Sequence, residues 1–282
     1  MQSMQLYSRF WECDMRVASS KPIIEVKELG TCFNGDWVHK NLNLTIMPDR
    51  IVTIIGASGC GKTTLVREIL MLQPITEGEI YLMGEKISSY DLENPYTKRV
   101  LSQMGMMFQQ GALFSSYTVL ENVMFPLLEY TDFSYEDVRE LAFMKLKLTG
   151  LKEVAYNKYP KEISPGMLKR VALARTLALD PKVVFLDEPT AGLDPNSAAS
   201  FDELILNLQQ QLKLTVIMIT HDLDSIWHTS NEIIYLGEKR VLLHDTVLNA
   251  ANQTAIKDLH EYFNGTRGKI TKAYYSAQMG SQ

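Results

Sequence analysis

Short apolar runs recur along the chain and alternate with stretches of helical periodicity. The runs at 182–186 and 214–219 are nearly continuous in apolar residues rather than alternating. This pattern is typical of strands that are buried on both faces, as in a sheet covered by helices. We therefore predict an α/β fold with a mostly parallel sheet, built from the runs IIEVKEL, IVTII, EIYLM, MGMMF, KVVFL, LTVIMI and EIIYL.

The segment from about 112 to 179 follows a different pattern. It has mainly helical periodicity, and Met167, Val171, Ala174 and Ala178 are spaced along one helix face. We interpret this segment as a helical subdomain inserted into the sheet domain.

The remaining pattern divides the chain into a main domain and two terminal segments. Residues 22–250 form the main domain, residues 1–21 an N-terminal extension and residues 251–282 a C-terminal tail. The last stretch, GTRGKITKAYYSAQMGSQ, is predicted to be a polar tail without a core of its own. A role for this tail in holding a neighbouring copy of the chain is a hypothesis only.

Composition narrows the class of protein. The 282 residues are 46% hydrophobic and 22% charged, which is typical of a globular protein with a substantial core. A net charge of -5 argues against nucleic acid as a partner. Three irregularly spaced cysteines favour a reducing cytosol. No signal peptide and no apolar run of about 20 residues is found, so we expect no membrane span in this chain.

The stretch GASGCGKTT follows the strand IVTII and precedes a helical pattern. This is the context of a phosphate-binding loop, whose backbone N–H groups and helix start attract a polyphosphate. Lys62 is expected to reach the β and γ phosphates of ATP, and the Thr63 hydroxyl to bind Mg²⁺. A glycine-rich turn without a ligand is the alternative. The nucleotide-binding candidates here are Gly56, Ala57, Ser58, Gly59, Cys60, Gly61, Lys62, Thr63 and Thr64.

Polar residues also follow three other predicted strands. Asp187 and Glu188 end the run KVVFL, so we predict that Asp187 holds Mg²⁺ and Glu188 is the general base for an attacking water. His221 follows LTVIMI and is expected to contact the γ phosphate. Gln109 follows MGMMF and is a candidate for sensing Mg²⁺ or the water, although its neighbour Gln110 is an alternative.

Six elements in this order resemble the ATP-binding cassette (ABC) family of P-loop NTPases: the phosphate loop, Gln109, ISPGM, FLDEP, AGLD and His221. The resemblance covers roughly residues 22–250. It implies that two copies close head to tail and that Ser164 and Gly166 of one copy contact the γ phosphate held by the other. It also implies that Asp194 lies at the junction of the copies and that Phe33 stacks on adenine.

Pro165 departs from the family pattern, which usually has glycine at this position. Proline has no N–H, so one backbone donor is lost from a site that depends on such donors. The Ser164 hydroxyl and the Gly166 amide remain, and proline fits the first turn of a helix. We therefore predict a working ATPase, slower at most, rather than an inactive site.

The stretch FQQGALFSSYTVLENVMFPL, together with Met167, resembles the ATPase subunits of the maintenance-of-lipid-asymmetry (Mla) transporters and their Mce-type relatives. This resemblance implies phospholipid as cargo and a peripheral position on the cytoplasmic face of the bacterial inner membrane. It implies a permease dimer, a STAS-domain protein and an Mce lipid-binding protein as partners. Alternatively, some residues of this stretch only fill the helical core: Leu113, Phe114, Val119, Val123 and Phe125.

Other functions share these nucleotide motifs. A DNA-repair ATPase head would need a long heptad-rich insertion between the phosphate loop and ISPGM, where only about a hundred residues lie. An ABC ATPase of another small-molecule transporter remains an alternative. A weakly catalytic regulatory subunit is a further alternative, which only Pro165 supports. Four residues oppose it: Lys62, Asp187, Glu188 and His221.

Overall fold

The computed structural model describes residues 21–87 and 95–279, so the predicted N-terminal extension lies outside it except for Lys21. The strands are β1 (Ile24–Phe33), β2 (Asp36–Ile46), β3 (Ile51–Gly56), β4 (Glu77–Leu82), β5 (Glu85–Lys86), β6 (Met104–Met107), β7 (Val183–Asp187), β8 (Thr215–Ile219), β9 (Glu232–Gly237) and β10 (Arg240–Thr246). The helices are α1 (Lys62–Ile69), α2 (Pro95–Ser102), α3 (Val119–Tyr130), α4 (Tyr135–Leu148), α5 (Pro165–Thr176), α6 (Pro195–Leu212), α7 (Leu223–Thr229), α8 (Val247–Asn252), α9 (Lys257–Asn264) and α10 (Thr266–Met279).

The larger sheet has the strand order β10-β9-β3-β8-β7-β6. All neighbours in it are parallel except β10 and β9, which pair antiparallel. Every residue of β8 is buried, as are the first five residues of β3. The prediction of an α/β fold with a mostly parallel sheet is confirmed, and each of the seven predicted runs overlaps a strand. Two of them, IIEVKEL and EIYLM, do not belong to this sheet: they overlap β1 and β4, which pair antiparallel with each other in a separate sheet. The carboxyl ends of β3, β6, β7 and β8 lead into the candidate phosphate, glutamine, carboxylate and histidine residues.

A second, antiparallel sheet has the order β2-β1-β4-β5 and was not predicted. In β2, Leu42, Leu44 and Ile46 are buried, whereas the intervening Asn43 and Thr45 are exposed. This alternation is the signature of a half-buried strand. β2 also carries His39, which lies fully buried behind the phosphate loop.

The helices α3, α4 and α5 form the predicted helical subdomain around a core of their own. Val171, Ala174 and Ala178 belong to this core, and Met167 packs against it. α3 begins with a capping box in which Thr118 and Glu121 satisfy each other's backbone donors. The subdomain is therefore a separately packed unit that is attached to the sheet through α5 and the loop after β6.

The C-terminal residues differ from the predicted polar tail. α9 buries Leu259 and Phe263 in a cluster with Ile55 and Trp227, and the Tyr275 ring of α10 stacks on Trp227 with centroids 6.3 Å apart. The tail has no separate core, but it completes the core of the sheet domain. A short helix such as α9 can pack through two apolar residues four positions apart. This pattern is too weak to predict a buried helix within a polar sequence. Among the described helices, none combines the length and apolar character needed to cross a bilayer.

Candidate nucleotide-binding site

The candidate phosphate loop connects β3 to α1, as predicted. Gly56 has φ +152°, and a Cβ placed there would lie 2.4 Å from the backbone oxygen of Leu236. Gly61 has φ +100°, and a Cβ there would lie 2.4 Å from Cε1 of His39. Both positions therefore require glycine, because the loop lies directly against the neighbouring strand and the histidine behind it.

Lys62 lies at the first position of α1, and its ammonium group turns back over the loop. Nζ donates hydrogen bonds to the backbone oxygens of Gly56 at 2.8 Å and Ala57 at 2.9 Å. The cation is thus held at the mouth of a cradle formed by a glycine-rich turn and a helix N-terminus. Such an arrangement suits a polyphosphate anion.

A buried histidine and a buried carboxyl group lie behind this loop. Nε2 of His39 is 3.8 Å from Oε2 of Glu68, and the Thr31 hydroxyl donates to the other Glu68 oxygen. Burial raises the pKa of Glu68 to about 7, against the opposing hydrogen bond from Thr31. Burial lowers the pKa of His39 to about 4, against a smaller opposing effect of the Gly61 backbone.

Replacing Glu68 should change the pH dependence of folding stability. Folded Glu68 has a pKa of about 7 and keeps its proton up to that pH, whereas in the unfolded chain its pKa is the ordinary 4.5. The unfolded state binds fewer protons in this window, so this group lowers wild-type stability as pH rises through it. We expect the free energy of unfolding of Glu68→Gln, relative to wild type, to increase by on the order of 1 to 3 kcal/mol between pH 5 and 8.

Denaturant unfolding at several pH values measures this difference. The shifted titration of His39 acts in the opposite direction over pH 4 to 6.5, but it is present in both proteins and cancels to first order. Glu85→Gln, at an exposed position, is the control. Parallel pH profiles for Glu68→Gln and wild type would contradict the prediction.

Asp187 and Glu188 lie together at the carboxyl end of β7. Glu188 has a left-handed backbone with φ +46°, which is costly for a residue other than glycine. Its N–H donates to the backbone oxygen of Ile219 at 2.8 Å, and its own backbone oxygen accepts from Nζ of Lys169 at 3.1 Å. The unusual backbone of Glu188 is therefore held on both sides.

The Glu188 carboxylate faces the loop that follows β8. The Thr220 hydroxyl donates to Oε2 at 3.3 Å, and Nε2 of His221 lies 3.8 Å from Oε1. Burial raises the pKa of Glu188, against the opposing effects of His221 and Thr220. Burial also raises the pKa of Asp187, and three nearby cations oppose it: Arg67, Lys169 and Lys62. A carboxylate with a raised pKa is a better proton acceptor near neutral pH.

A cleft of about 370 Å³ lies beside the phosphate loop. The cleft is lined by residues of β3, the phosphate loop, the loop after β8, β9 and α9: Ile55, Gly56, Ala57, Ser58, His221, Tyr235, Asp258 and Tyr262. The Tyr262 hydroxyl donates to the backbone oxygen of His221 at 3.0 Å. The structure thus places His221 next to the phosphate loop and gives it a support that the sequence did not predict.

Ser164 and Gly166 lie elsewhere, at the start of α5. Ser164 is the N-cap and its hydroxyl accepts from the Met167 N–H at 3.3 Å, while Pro165 occupies the first helical turn as predicted. Asp194 caps α6 in the same way, through the Ser197 N–H at 3.1 Å. A second cleft of about 220 Å³ lies at these two helix starts and is lined by Gly166, Arg170, Asn196, Ser197, Ser200 and Phe201.

The two clefts share no lining residue, and Gly166 lines the second cleft rather than the one beside the phosphate loop. Phe33 is exposed at the end of β1, and Gln109 is exposed in the turn after β6. Exposed residues at these positions are available to a ligand or a second chain.

The sequence analysis missed Lys169, a lysine with 6% of its surface exposed. Nζ donates to the backbone oxygen of Gln109 at 2.6 Å and to that of Glu188 at 3.1 Å. Lys169 lies two residues after Met167 on α5. The apolar pattern of this helix predicts which residues face the core, but it does not show that a cation on the helix is also buried. Lys169 joins α5 to the loops that carry both candidate residues.

Comparison with known proteins decides the family. A profile of the family described as ABC transporter matches residues 39–191, which span the phosphate loop, Gln109, α5 and the carboxylates. The chain belongs to the ABC transporter family. The family resemblance predicted from the six sequence elements is thus confirmed.

Individual relatives extend the match over most of the chain. The intermembrane phospholipid transport ATP-binding protein MlaF of Haemophilus influenzae is 38% identical over 79% of this chain and 84% of that protein. The methionine import ATP-binding protein MetN of Clostridium tetani is 37% identical over 80% of this chain and 70% of that protein. The ATP-binding cassette MJ0796, solved as a dimer in a post-hydrolysis state with ADP and Pi, has a TM-score of 0.71 and 32% identity and covers 79% of this chain and 98% of its own.

These comparisons establish an MlaF-like ABC ATPase with the fold of a P-loop NTPase cassette. The chain is the ATP-binding subunit of an ABC transporter, and its reaction is ATP hydrolysis. MlaF is named for phospholipid transport and MetN for methionine import, so the similarity to these relatives establishes a transport ATPase but not the transported substrate.

Proposed function

We propose that two copies of this chain hydrolyse ATP at the cytoplasmic face of the bacterial inner membrane to drive phospholipid transport. The observation that carries the cargo assignment is the 38% identity to MlaF over 79% of the chain. The stretch 108–127, which resembles Mla-type ATPases, adds to it. MetN, at 37% identity, supplies the second candidate, import of a small molecule such as methionine.

In the proposed site, Lys62 and the phosphate-loop backbone bind the phosphates of ATP. The oxygen donors of Thr63 and Asp187 fit Mg²⁺, which prefers oxygen ligands and is usually bound through one or two carboxylates plus phosphates and water. Magnesium, when bound, would neutralise charge on the phosphate oxygens. Thr63 is exposed at the start of α1, and Asp187 is half-buried.

Glu188 is proposed as the general base. Its carboxylate accepts a proton from the attacking water, and the Thr220 hydroxyl at 3.3 Å orients one of its oxygens. His221 lies 3.8 Å from the other oxygen and borders the phosphate loop cleft, which supports its proposed contact with the γ phosphate. Gln109, or its neighbour Gln110, is proposed to sense Mg²⁺ or the water from the turn after β6.

A second copy is proposed to complete each site. Ser164 and Gly166 lie at the start of α5, and Gly166 lines the second cleft rather than the phosphate loop cleft of its own chain. In a head-to-tail dimer their hydroxyl and amide would meet the γ phosphate of the other copy, with Asp194 at the junction. Phe33 is proposed to stack on the adenine ring.

Replacing Pro165 by glycine tests the departure from the family pattern. Pro165 lies in the first turn of α5, where helix N–H groups have no intrahelical partner, so its missing donor does not disturb the helix. We expect robust hydrolysis by the wild type and a kcat for Pro165→Gly within about tenfold of it. Steady-state phosphate release measures both. Turnover that appears only in the variant would show that the natural loop is inactive.

The proposed permease contact is an exposed aromatic cluster on the helical subdomain, defined by Phe114, Tyr117 and Phe125. The ring centroids of Phe114 lie 4.8 Å from Phe125 and 5.3 Å from Tyr117. Phe114 and Tyr117 are exposed although large and apolar. Neighbouring exposed aromatic rings suit an apolar helix of another subunit. A permease dimer is thus the proposed partner, with a STAS-domain protein and an Mce lipid-binding protein as further components.

Affinity capture from solubilised inner membrane tests the proposal. The bait is the full chain with Glu188→Gln, which is expected to retain ATP, and bound proteins are identified by mass spectrometry. Recovery of a permease together with an Mce protein supports phospholipid transport, whereas recovery of a methionine or sugar permease contradicts it. Phe114→Ser in the bait should lose the permease, and Val154→Ser, at an exposed position of the same subdomain, should retain it.

A further inference from the structure

Lys169 occupies an unusual place in the molecule. It lies on α5, five residues after Ser164, and is almost completely buried. A buried ammonium group needs partners, and here these are two backbone oxygens, those of Gln109 at 2.6 Å and Glu188 at 3.1 Å. These residues follow the neighbouring strands β6 and β7, so one side chain ties together two strand-end loops.

The contact with Glu188 bears on the direction of its carboxylate. With φ +46°, Glu188 has a left-handed conformation that is unfavourable for such a residue and persists only where its surroundings impose it. The Ile219 oxygen holds its N–H, and Lys169 holds its carbonyl. Without Lys169, the carbonyl would lose its donor and the residue could rotate towards an ordinary backbone conformation.

We propose that Lys169 is a positioning residue for hydrolysis, which fixes the Glu188 carboxylate and the Gln109 loop by holding their backbone oxygens from the helix α5. This inference rests on the proposed role of Glu188 as the base. Lys169 itself touches neither nucleotide nor water in this scheme. It acts through the backbone of two residues that do.

The same helix begins with Ser164, which is proposed to meet the nucleotide of the second copy. A rigid helix of about three turns therefore joins the contact with one nucleotide to the base that acts on another. Movement of α5 when the copies close would be passed to Glu188 through Lys169.

A second cation on α5 provides an internal comparison. Arg175 donates to the backbone oxygens of Gly111 at 2.7 Å and Ala112 at 2.8 Å, also in the loop after β6. Within the described residues, Arg175 makes no hydrogen bond to Glu188. Arg175→Met should thus loosen the loop without releasing the carbonyl of Glu188.

The test compares Lys169→Met with Lys169→Arg and with Lys161→Met, an exposed lysine near the same helix. Steady-state kinetics and equilibrium binding of a fluorescent ATP analogue are measured on the purified full chain. We expect kcat of Lys169→Met to fall about 10- to 100-fold, because small misplacement of a catalytic group has effects of this size. Nucleotide affinity should stay within about twofold, since the phosphate loop is untouched.

Three further results decide the inference. Lys169→Arg should recover part of kcat, because it keeps a cation with several donors. Hydrogen exchange should show lost protection around residues 186–190 in Lys169→Met, but not in Arg175→Met. If Lys169→Met lacks a cooperative unfolding transition, the kinetics and exchange are measured on Lys169→Gln instead. A folded variant with kcat within threefold of wild type, or with affinity lost in parallel with kcat, would overturn the inference.

Glu188→Gln, measured in parallel, separates this inference from the proposed mechanism. If Glu188→Gln is inactive and Lys169→Met is fully active, only the positioning role is wrong. If Glu188→Gln hydrolyses ATP at the wild-type rate, the base has been misassigned, and the inference fails with it.

Discussion

Glu188→Gln should lower ATP turnover by about 100- to 1,000-fold while ATP binding is retained. Glutamine has nearly the same shape but cannot accept the proton of the attacking water. The hydrogen bonds that fix this position, from Lys169 to its carbonyl and from its N–H to Ile219, involve only its backbone and are retained. Phosphate release under saturating ATP measures the loss, and equilibrium nucleotide binding shows that the site is still formed.

The control is Glu140→Gln, an exposed glutamate on α4, for which turnover should stay at the wild-type level. Because Glu188 is half-buried with a raised pKa, wild-type activity should also decline at low pH as this group takes up a proton, and the decline should be weaker in the residual activity of Glu188→Gln, where only the raised pKa of Asp187 still contributes. Turnover above about a tenth of wild type in Glu188→Gln would mean that another group accepts the proton.

Lys62→Ala should weaken ATP binding by about 100-fold or more. Lys62 has only 8% of its surface exposed, so the attraction of its ammonium group to phosphate is weakly screened, and removal of one partner of a buried ion pair typically costs about 3 kcal/mol or more. The variant also removes the hydrogen bonds to Gly56 and Ala57, which loosens the loop that supplies the backbone donors. Fluorescent nucleotide titration measures the affinity.

Lys152→Ala, at an exposed position, is the matched control and should bind ATP as the wild type does. Thermal unfolding without nucleotide distinguishes lost binding from lost folding. An affinity for Lys62→Ala within threefold of wild type would show that this glycine-rich segment is not the phosphate site.

The strand-end residues were predictable because they follow continuous apolar runs. Parallel strands in the sheet interior need no alternating pattern, so each run marks a strand and the polar residue after it marks the edge where a ligand binds. Asp187, Glu188 and His221 were located in this way, and the fold class was inferred from the same runs. Their chemical roles remain predictions that the experiments above test.

Other features could not be derived from the pattern. β2 and β10 have mixed burial, and the antiparallel sheet depends on pairing between segments that a single sequence does not reveal. In the sequence, Lys169 does not differ from other cations on predicted helices. Only the structure shows that it is buried between two loops. The same holds for His39, whose position behind Gly61 depends on how the two sheets meet. Such contacts join residues far apart in sequence, and no local rule predicts them.

The hydrogen bond from Tyr262 to the His221 backbone has a practical consequence for anyone who shortens this chain. A version ending near residue 250 would retain every nucleotide motif, yet it would lack the tyrosine and the two apolar residues of α9 that fill the core beneath Trp227. The loop that carries His221 would lose this hydrogen bond and become more mobile. We therefore expect such a fragment to hydrolyse ATP more slowly and to be less stable than the full chain.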